Sequence, residues 1–180
     1  MMRTFDALGA GERAAAARRI EYICLVSSDA VAGLEGAARA AFFDRWAGGY
    51  LDRWPGLALV HGPDAESIDG YLVGCEDSAA AVHLYDAIFY YRVFAAHYRT
   101  YPAHFHVNVA AEARNRGAGT ALVKAFAALC RARGCWGMHL VTAAAARNRP
   151  FYARAGFAEV ERKQVAGDPL VLLGRRLDQD

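Results

Sequence analysis

The residues of this sequence best suited to chemistry form a short loop rich in arginine and glycine, residues 114–119 (RNRGAG). The loop follows a segment of alternating polarity and precedes a strong helix pattern. Glycine lets the backbone approach an anion closely, and the free N–H groups at a helix start point toward such a ligand. Arg114 and Arg116 can add charge-assisted hydrogen bonds. The loop therefore predicts a phosphate-binding site, and an ordinary glycine-rich turn is the alternative.

Two common nucleotide-binding motifs are absent from the same region. The sequence has no G-x-x-x-x-G-K-[ST], so the loop is not a phosphate loop of the Walker A type. Its spacing is also not G-x-G-x-x-G, which disfavours a Rossmann dinucleotide fold.

The segment before the loop, residues 104–109, alternates in polarity like a strand with two different faces. His104, His106 and Asn108 share the polar face. Histidine is the commonest general base near neutral pH, so the two histidines are candidate proton acceptors. Each histidine could instead be a hydrogen-bonded structural residue, and the same alternative holds for His139 on the next predicted strand.

Hydrophobic periodicity and turn signals predict the elements that position these residues. Helices are predicted over residues 12–27, 36–53, 79–98, 118–133 and 150–155. Strands are predicted over residues 57–61, 71–75, 104–109, 136–141, 157–165 and 170–177. The first two strands and the last two are expected to form hairpins. The order of strands and helices in the second half favours a mixed α/β sheet.

Composition limits the class of protein. The 180 residues, 55% of them apolar, suit one domain with a sizeable core. With 21 basic and 19 acidic residues the charge is nearly balanced, so no nucleic-acid partner is expected. No apolar run reaches the roughly 18 residues that a membrane span needs, and no signal peptide is recognised. The cysteines lack C-x-x-C spacing, which favours reduced thiols in a cytoplasmic protein over a zinc site or a disulfide framework. They are Cys24, Cys75, Cys130 and Cys135.

Two segments resemble the sequence markers of the GNAT superfamily of N-acetyltransferases. Residues 106–122 (HVNVAAEARNRGAGTAL) are similar to its acetyl-CoA motif, a strand followed by R/Q-x-x-G-x-G/A and a helix. Residues 147–157 (RNRPFYARAGF) are similar to its second marker, a short helix that ends in F-Y-x-x-x-G-F. Residues 101–106 and 137–140 resemble the subgroup that includes the acetyltransferase-like domain attached to some O-GlcNAc hydrolases.

The resemblance implies an α/β (α+β) fold of the GNAT type over residues 1–180. Its mixed, mostly antiparallel, twisted sheet would be flanked by helices and contain a splayed central strand pair. Residues 55–177 would form the core, and residues 1–54 would be a helical wall of the acceptor site. The implied reaction is transfer of an acetyl group from acetyl-CoA to a primary amine of a small-molecule, aminoacyl or amino-sugar-like acceptor by direct attack. No metal and no membrane are implied, and a homodimer is consistent with the family.

The resemblance also implies roles for particular residues. Tyr152 would be the general acid toward the leaving thiolate, with His106 and Asn108 as the other catalytic candidates. Free backbone groups of Val109 and Ala110 would bind the pantetheine arm and polarise the thioester carbonyl. The pyrophosphate of coenzyme A would be held by Arg114, Arg116, Gly117, Ala118, Gly119 and Thr120. Asn148 and Phe151 complete the expected cofactor site.

Two positions depart from the family pattern. Asn108 stands where the subgroup usually has aspartate, and Ala145 stands where the family usually has asparagine or aspartate, seven residues before the tyrosine. Asn148 is the nearest amide that could replace the latter. These departures make a non-catalytic acyl-CoA-binding module of the same fold the alternative to an enzyme. A structural α/β domain with an incidental loop is a third reading.

Aromatic residues are concentrated in the segments that would wall the acceptor site. At helical spacing such residues form a core more often than a substrate pocket, and both interpretations remain open. The set is Tyr22, Trp46, Tyr50, Trp54, Tyr85, Phe89, Tyr90 and Tyr98.

Overall fold

The computed structural model describes residues 1–178, in which seven β-strands form one sheet accompanied by six α-helices. The strands are β1 (Met2–Thr4), β2 (Leu59–His61), β3 (Gly70–Cys75), β4 (Ala103–Val109), β5 (Gly137–Ala143), β6 (Ala158–Val165) and β7 (Asp168–Arg176). The helices are α1 (Ala10–Val26), α2 (Gly36–Phe43), α3 (Gly49–Arg53), α4 (Leu84–Ala87), α5 (Ala118–Ala132) and α6 (Arg149–Arg154). The strand order is β1-β2-β3-β4-β5-β7-β6. The β4–β5 pair is parallel, whereas β1–β2, β2–β3, β5–β7 and β6–β7 are antiparallel, which confirms the predicted mixed, mostly antiparallel sheet.

The chain divides into two compact units. Unit 1 comprises Met1–Gly74 and His106–Phe126, and unit 2 comprises Cys75–Phe105 and the described residues from Ala127 onward. The last four residues of β4 therefore belong to unit 1 and its first three to unit 2. The single domain expected over residues 1–180 remains a prediction.

The helices of unit 1 match the predicted ones closely. Helix α1 starts where the Glu12 carboxylate accepts a hydrogen bond from the Gly9 N–H at 3.0 Å, which satisfies a donor at the helix start. Its buried stripe includes Ile20, Ile23 and Cys24. The helix predicted over residues 36–53 is present as α2 and α3, joined without a break by a π-helical turn at Asp44–Gly48.

The strands of unit 1 include the predicted hairpin and one unexpected strand. In the β2–β3 hairpin, Leu59 pairs with Leu72 and Val60 pairs with Tyr71. Strand β1 was not predicted, because its three residues lie in a polar, turn-rich N-terminus. It forms by antiparallel pairing with β2, in which Arg3 lies opposite Val60.

Unit 2 contains the predicted C-terminal hairpin. Strands β6 and β7 pair around the turn at residues 166–167, and β7 also pairs with β5 along its length. The parallel register of β4 and β5 joins Ala103 to Met138 and His104 to His139, at the beginning of both strands. The splay expected further along this strand pair remains a prediction.

The prediction of one long helix over residues 79–98 is wrong. The structure has only the single turn α4 and a 3-10 segment at Arg92–His97. Ile88 is extended, at φ −114° and ψ 112°, which ends α4. The aromatic side chains make specific tertiary bonds instead: the Tyr91 hydroxyl donates to the Ser78 carbonyl at 3.0 Å, and the Tyr98 hydroxyl donates to the Tyr91 carbonyl at 2.7 Å. These contacts override the helix propensity of an alanine-rich segment.

Large aromatic side chains occupy the cores of both units. In unit 1, Tyr50, Tyr71 and Phe126 are at most 1% exposed. In unit 2, Tyr91 and Phe94 are equally buried. These rings supply much of the buried apolar area. Within residues 1–178, every helix is too short or too polar to cross a membrane.

We expect Gly70 to be required for the close approach of β3 to the end of β4 in unit 1. A Cβ added at Gly70 would lie 2.9 Å from the Asn108 carbonyl oxygen and 3.1 Å from Val109 Cγ2. Gly70→Ala should therefore lower the free energy of unfolding by about 1–3 kcal/mol, measured by urea denaturation. Gly11→Ala is the matched control, because a Cβ there meets nothing within 4 Å and alanine favours the helix. Equal stability of the two variants would contradict the expectation.

Candidate active site

The loop between β4 and α5 turns the chain through two left-handed residues. After the 3-10 turn Ala111–Ala113, Asn115 has φ 61° and Gly117 has φ 89°. The first bond of α5 runs from the Ala121 N–H to the Gly117 carbonyl at 2.9 Å. The N–H groups of residues 118–120 precede that bond, so they have no acceptor within the helix. The arrangement presents backbone donors and the positive end of the helix dipole at one place.

The space around Gly117 is open. Gly117 is exposed, and a Cβ built on it would meet nothing within 4 Å. Arg116 and Thr120 beside it are exposed, while Ala118 is buried and anchors the first turn of α5 in the core of unit 1. The loop therefore combines a fixed helix start with an accessible glycine backbone, as anion binding requires.

Two charged side chains at the loop, those of Arg114 and Glu112, are held by neighbouring groups. Arg114 Nε donates to the Val109 carbonyl at 3.2 Å, which turns this guanidinium back toward the end of β4. The Glu112 carboxylate pairs with Arg19 at 2.9 Å. A hydrogen bond from its own backbone N–H, followed by the bond from Arg19, lowers the pKa of Glu112. The negative charge of Glu112 at neutral pH is thus neutralised by Arg19 of α1.

Backbone groups at the end of β4 are hydrogen-bonded within unit 1. The Ala110 N–H donates to the Asp69 carbonyl at 2.8 Å, and the Ala110 carbonyl accepts from the Ala113 N–H at 2.9 Å. The Val109 carbonyl accepts from Arg114. These bonds engage the N–H and the carbonyl of Ala110 and the carbonyl of Val109. A binding role for the two residues stays a prediction.

His106 lies among aromatic rings from the helical part of unit 1. The Tyr50 hydroxyl is 3.2 Å from His106 Nε2. The rings of Trp46 and Tyr50 meet the imidazole edge to face, with centroids 5.1 Å and 5.3 Å away. Trp46 belongs to the π-helical turn, a feature often found at functional sites. Both of these aromatic residues therefore contact His106 directly.

Asn108 is tied to the neighbouring strand. Its Nδ2 donates to the Tyr71 hydroxyl at 2.9 Å, and that hydroxyl also interacts with the Cys24 thiol. Tyr71 is completely buried, and burial raises its pKa well above the ordinary value of a phenol. Asn108 thus belongs to a chain of neutral polar groups. Sequence reasoning missed Tyr71, although it begins the predicted strand 71–75 of the hairpin.

The other two histidines of the candidate set are structural residues of unit 2. His104 is 4% exposed, and its Nδ1 lies 2.8 Å from Ser78 Oγ. Because Ser78 Oγ donates its own hydrogen to the Pro102 carbonyl at 2.6 Å, it accepts a hydrogen from His104 Nδ1. His139 is 2% exposed, and its Nδ1 donates to the Tyr101 carbonyl at 2.7 Å. The open alternative for both residues resolves to hydrogen-bonded core histidines.

Tyr152 lies on α6 in an apolar part of unit 2. It is 6% exposed and contacts the rings of Phe105, Phe151 and Phe157 at centroid distances of 6.3, 5.0 and 5.9 Å. Burial raises its pKa to about 12. The phenol is therefore fully protonated at neutral pH, as a hydrogen-bond donor must be.

Asn148 is the residue before α6, and its carbonyl accepts from the N–H groups of Phe151 and Tyr152 at 3.0 and 3.3 Å. Its side-chain Oδ1 lies 3.5 Å from Thr142 Oγ1 on β5. Ala145 is exposed in the turn after β5. Asn148 therefore helps fix the start of α6, and its replacement of the missing amide at position 145 stays a prediction.

The predicted site residues form two groups. In unit 1 the structure brings together the end of β4, from His106 to Ala110, and the loop that leads into α5. In unit 2 it brings together Asn148, Phe151 and Tyr152. Within residues 1–178, no group of three or more His, Cys, Asp or Glu side chains is arranged to hold a metal ion. The absence of a metal from the reaction remains a prediction.

Comparison with known proteins supports the class of protein that these features suggest. Residues 78–159 match the model of the acetyltransferase (GNAT) domain. A search of curated proteins found no match. Among solved structures, SsHAT is 25% identical to this chain, with 98% of both chains covered and a TM-score of 0.74.

Two further structures share the fold at lower identity. Ard1 from Thermoplasma volcanium is 18% identical, covering 98% of this chain and 96% of its own, with a TM-score of 0.65. A chain of the NatC complex bound to Gag peptide and CoA is 13% identical, covering 98% of this chain and 97% of its own, with a TM-score of 0.63. The seven-stranded α+β sheet of this chain is thus the GNAT fold.

Residues 78–159 thus match the acetyltransferase (GNAT) domain, and the chain has the fold of the GNAT superfamily. Enzymes of this superfamily take the acetyl group from acetyl-CoA and transfer it to an acceptor substrate. The likeness to the O-GlcNAc hydrolase subgroup remains a prediction, since none of the proteins compared above bears on it.

The buried state of His139 predicts a pH dependence of stability. Burial lowers its pKa from 6.5 to about 4, so the unfolded chain binds this proton at a higher pH than the folded chain. The neutral His139 therefore contributes fully to the free energy of unfolding above pH 6.5. This contribution is lost as the pH falls toward 4, by about 3 kcal/mol in total. Urea denaturation of wild type and His139→Gln across this range should show the extra loss only in the wild type. Parallel curves would contradict a buried neutral imidazole.

Proposed function

We propose that this protein is an acetyl-CoA-dependent N-acetyltransferase that acts on a primary amine. The observation that carries the proposal is the loop between β4 and α5, where two left-handed residues precede a helix start whose first N–H groups have no acceptor within the helix. This is the geometry that binds a phosphate. The match to the acetyltransferase domain makes the pyrophosphate of coenzyme A the natural anion. Its contacts would be the backbone of residues 116–120 and the side chains of Arg114 and Arg116.

His106 is proposed as the general base. It is half-buried, whereas His104 and His139 are enclosed and bonded to backbone or serine groups. The Tyr50 hydroxyl and the Trp46 ring hold its imidazole in one orientation, so Tyr50 is a positioning residue. Asn108 takes no proton, because an amide is not basic near neutral pH. Its proposed part is to orient the attacking amine by hydrogen bonding.

Tyr152 is proposed as the donor to the leaving thiolate. With a pKa of about 12 it is a weaker acid than a thiol, whose ordinary pKa is about 8.5, so complete proton transfer would be uphill by about 5 kcal/mol. A hydrogen bond from the phenol still stabilises the developing sulfur anion. The nitrogen forms its bond to the acetyl carbon as the carbon–sulfur bond breaks. One proton leaves the amine, and one proton ends on the thiol.

The acceptor, the location and the partners are proposed on the same basis. The acceptor is a small-molecule, aminoacyl or amino-sugar-like amine, for which the half-buried Trp46 beside His106 would provide an apolar contact. The helical part over residues 1–54 would wall its site. A cytoplasmic location, a homodimer, and the absence of nucleic-acid partners are further parts of the proposal.

A non-catalytic acyl-CoA-binding module is the second candidate. The observation that favours it is the amide at position 108, bonded to a neutral phenol where the subgroup usually has a carboxylate. A second observation is the exposed Ala145, which stands where the family usually has an asparagine or aspartate side chain. Binding of coenzyme A without acetyl transfer to any amine would favour this candidate over the enzyme.

Gly117→Val should weaken coenzyme A binding by about 10-fold or more, which corresponds to roughly 1.4 kcal/mol. The new side chain would fill the open space over the loop and strain a residue at φ 89°. Isothermal calorimetry with coenzyme A measures the effect. Gly167→Val is the matched control, because Gly167 has φ 94° and an equally open site in the β6–β7 turn. Unchanged affinity in a folded Gly117 variant would refute the phosphate-binding loop.

Tyr152→Phe should lower kcat by about 100-fold or more while leaving coenzyme A affinity nearly unchanged, because only the donor to the thiolate is lost. A thiol-release assay with acetyl-CoA and a panel of amines measures the turnover. Tyr85→Phe removes a phenol hydroxyl of unit 2 that has no proposed role, and it should keep wild-type turnover. If the Tyr152 variant also keeps it, the general-acid assignment fails.

A further inference from the structure

The C-terminal end of α5 closes in a Schellman motif, in which two hydrogen bonds cap the last carbonyl groups of a helix. The Cys135 N–H donates to the Cys130 carbonyl at 2.9 Å, and the Gly134 N–H donates to the Arg131 carbonyl at 3.0 Å. Gly134 is left-handed, with φ 80°, as the motif requires. All of these residues belong to unit 2.

This motif brings two cysteine side chains into contact. A hydrophobic contact between its first and last residues frequently accompanies the motif. Here they are Cys130 and Cys135, whose backbones are joined by the bond from the Cys135 N–H and whose thiols influence each other's pKa. The contact is a consequence of the helix cap and not of the sequence spacing, since residues five apart within a helix do not face each other.

The two thiols have unequal environments. Cys130 is completely buried, whereas Cys135 is partly exposed. The hydrogen bond between them raises the pKa of Cys130 and lowers the pKa of Cys135, because the Cys130 thiol donates to the Cys135 thiolate. Cys135 is thus the thiol that loses its proton first, and the thiolate is the reactive form.

The charged groups around Cys135 are a mixed set. Arg133 lowers its pKa, while Glu76 and Asp77 raise it. Arg133 is paired with the Glu76 carboxylate at 3.2 Å, so the two nearest charges largely offset each other. The Cys135 thiol also lies 3.6 Å from the Glu76 carbonyl oxygen. The contact with Cys130 is therefore the largest influence on this thiol.

We propose that Cys130 and Cys135 are a redox-active pair, which a peroxide oxidises to an intramolecular disulfide. The Cys135 thiolate attacks a peroxide oxygen and becomes a sulfenic acid, and one molecule of water forms after protonation. The Cys130 sulfur then displaces the hydroxyl group of the sulfenic acid, which leaves as a second water. Two thiols are oxidised by two electrons to one disulfide, and one hydrogen peroxide is reduced to two waters.

Backbone geometry favours this pair over the other cysteines. A disulfide requires α-carbons about 4.4–6.8 Å apart, and the direct hydrogen bond from Cys135 to Cys130 holds the two backbones together. Cys135 also raises the pKa of Cys75, but Cys75 is 2% exposed, and burial is the main cause that raises its pKa to about 12. Cys24 belongs to unit 1, where its thiol interacts with Tyr71. The proposal is independent of the acetyltransferase activity.

The experiment treats the full chain with hydrogen peroxide and maps the product. We expect the denatured protein to lose two of its four titratable thiols and its mass to fall by two hydrogens. Trypsin cleaves after Arg131 and Arg133, so the disulfide should join peptide 125–131 to peptide 134–147 in a non-reduced digest. Dithiothreitol should restore both thiols. This mapping uses the wild type and does not depend on a variant that folds.

Variants then test the order of the steps. Cys130→Ser should accumulate a sulfenic acid at position 135 that dimedone traps, whereas Cys135→Ser should give neither disulfide nor trapped product. Cys24→Ser is the matched control and should form the disulfide like the wild type. Retention of all four thiols in the peroxide-treated wild type would overturn the proposal. A Cys75–Cys135 linkage, or a disulfide between two chains, would overturn it as well.

Discussion

The candidate site of unit 1 depends on one close approach between two backbones. At the end of β4, the Ala110 N–H donates to the Asp69 carbonyl, and Gly70 has no side chain to keep β3 away from Asn108 and Val109. Because the strand is held at this point, the turn that follows has a fixed origin. The left-handed residues then deliver the N-terminus of α5 to one place. A flexible start would lose the directional donors that make a helix end attractive to an anion.

Patterns that are local in sequence predicted most of the elements well. The alternation over residues 104–109 and the helix after residue 117 gave β4 and α5 to within one residue at each boundary. The errors occur where distant contacts decide the structure. Strand β1 has three residues, and its partner lies more than fifty residues away, so no local signal announces it. The segment 79–98 has helical composition, yet the hydroxyl groups of Tyr91 and Tyr98 bond to backbone carbonyls that a continuous helix would occupy.

The polar face of β4 shows which part of a site a sequence can predict. Alternation correctly indicated a polar face, but it could not distinguish a reactive histidine from a structural one. Their difference arises from neighbours that are remote in sequence: Ser78 bonds His104, while Tyr50 and Trp46 surround His106. The same reason hid Tyr71, whose hydroxyl joins Asn108 to Cys24. Composition identifies the chemistry a strand can offer, and the partners of each side chain decide whether it is used.

Both ends of helix α5 have backbone groups that find no partner within the helix. The first N–H groups of a helix have no internal acceptors, and the last carbonyl groups have no internal donors. At the N-terminus the N–H groups of residues 118–120 are left available, which suits an anion. At the C-terminus the carbonyls of Cys130 and Arg131 accept from the N–H groups of Cys135 and Gly134, and this closure brings the two cysteines close together. The two proposals therefore have the same physical origin: one end of α5 satisfies its backbone groups with a ligand, and the other satisfies them with its own chain.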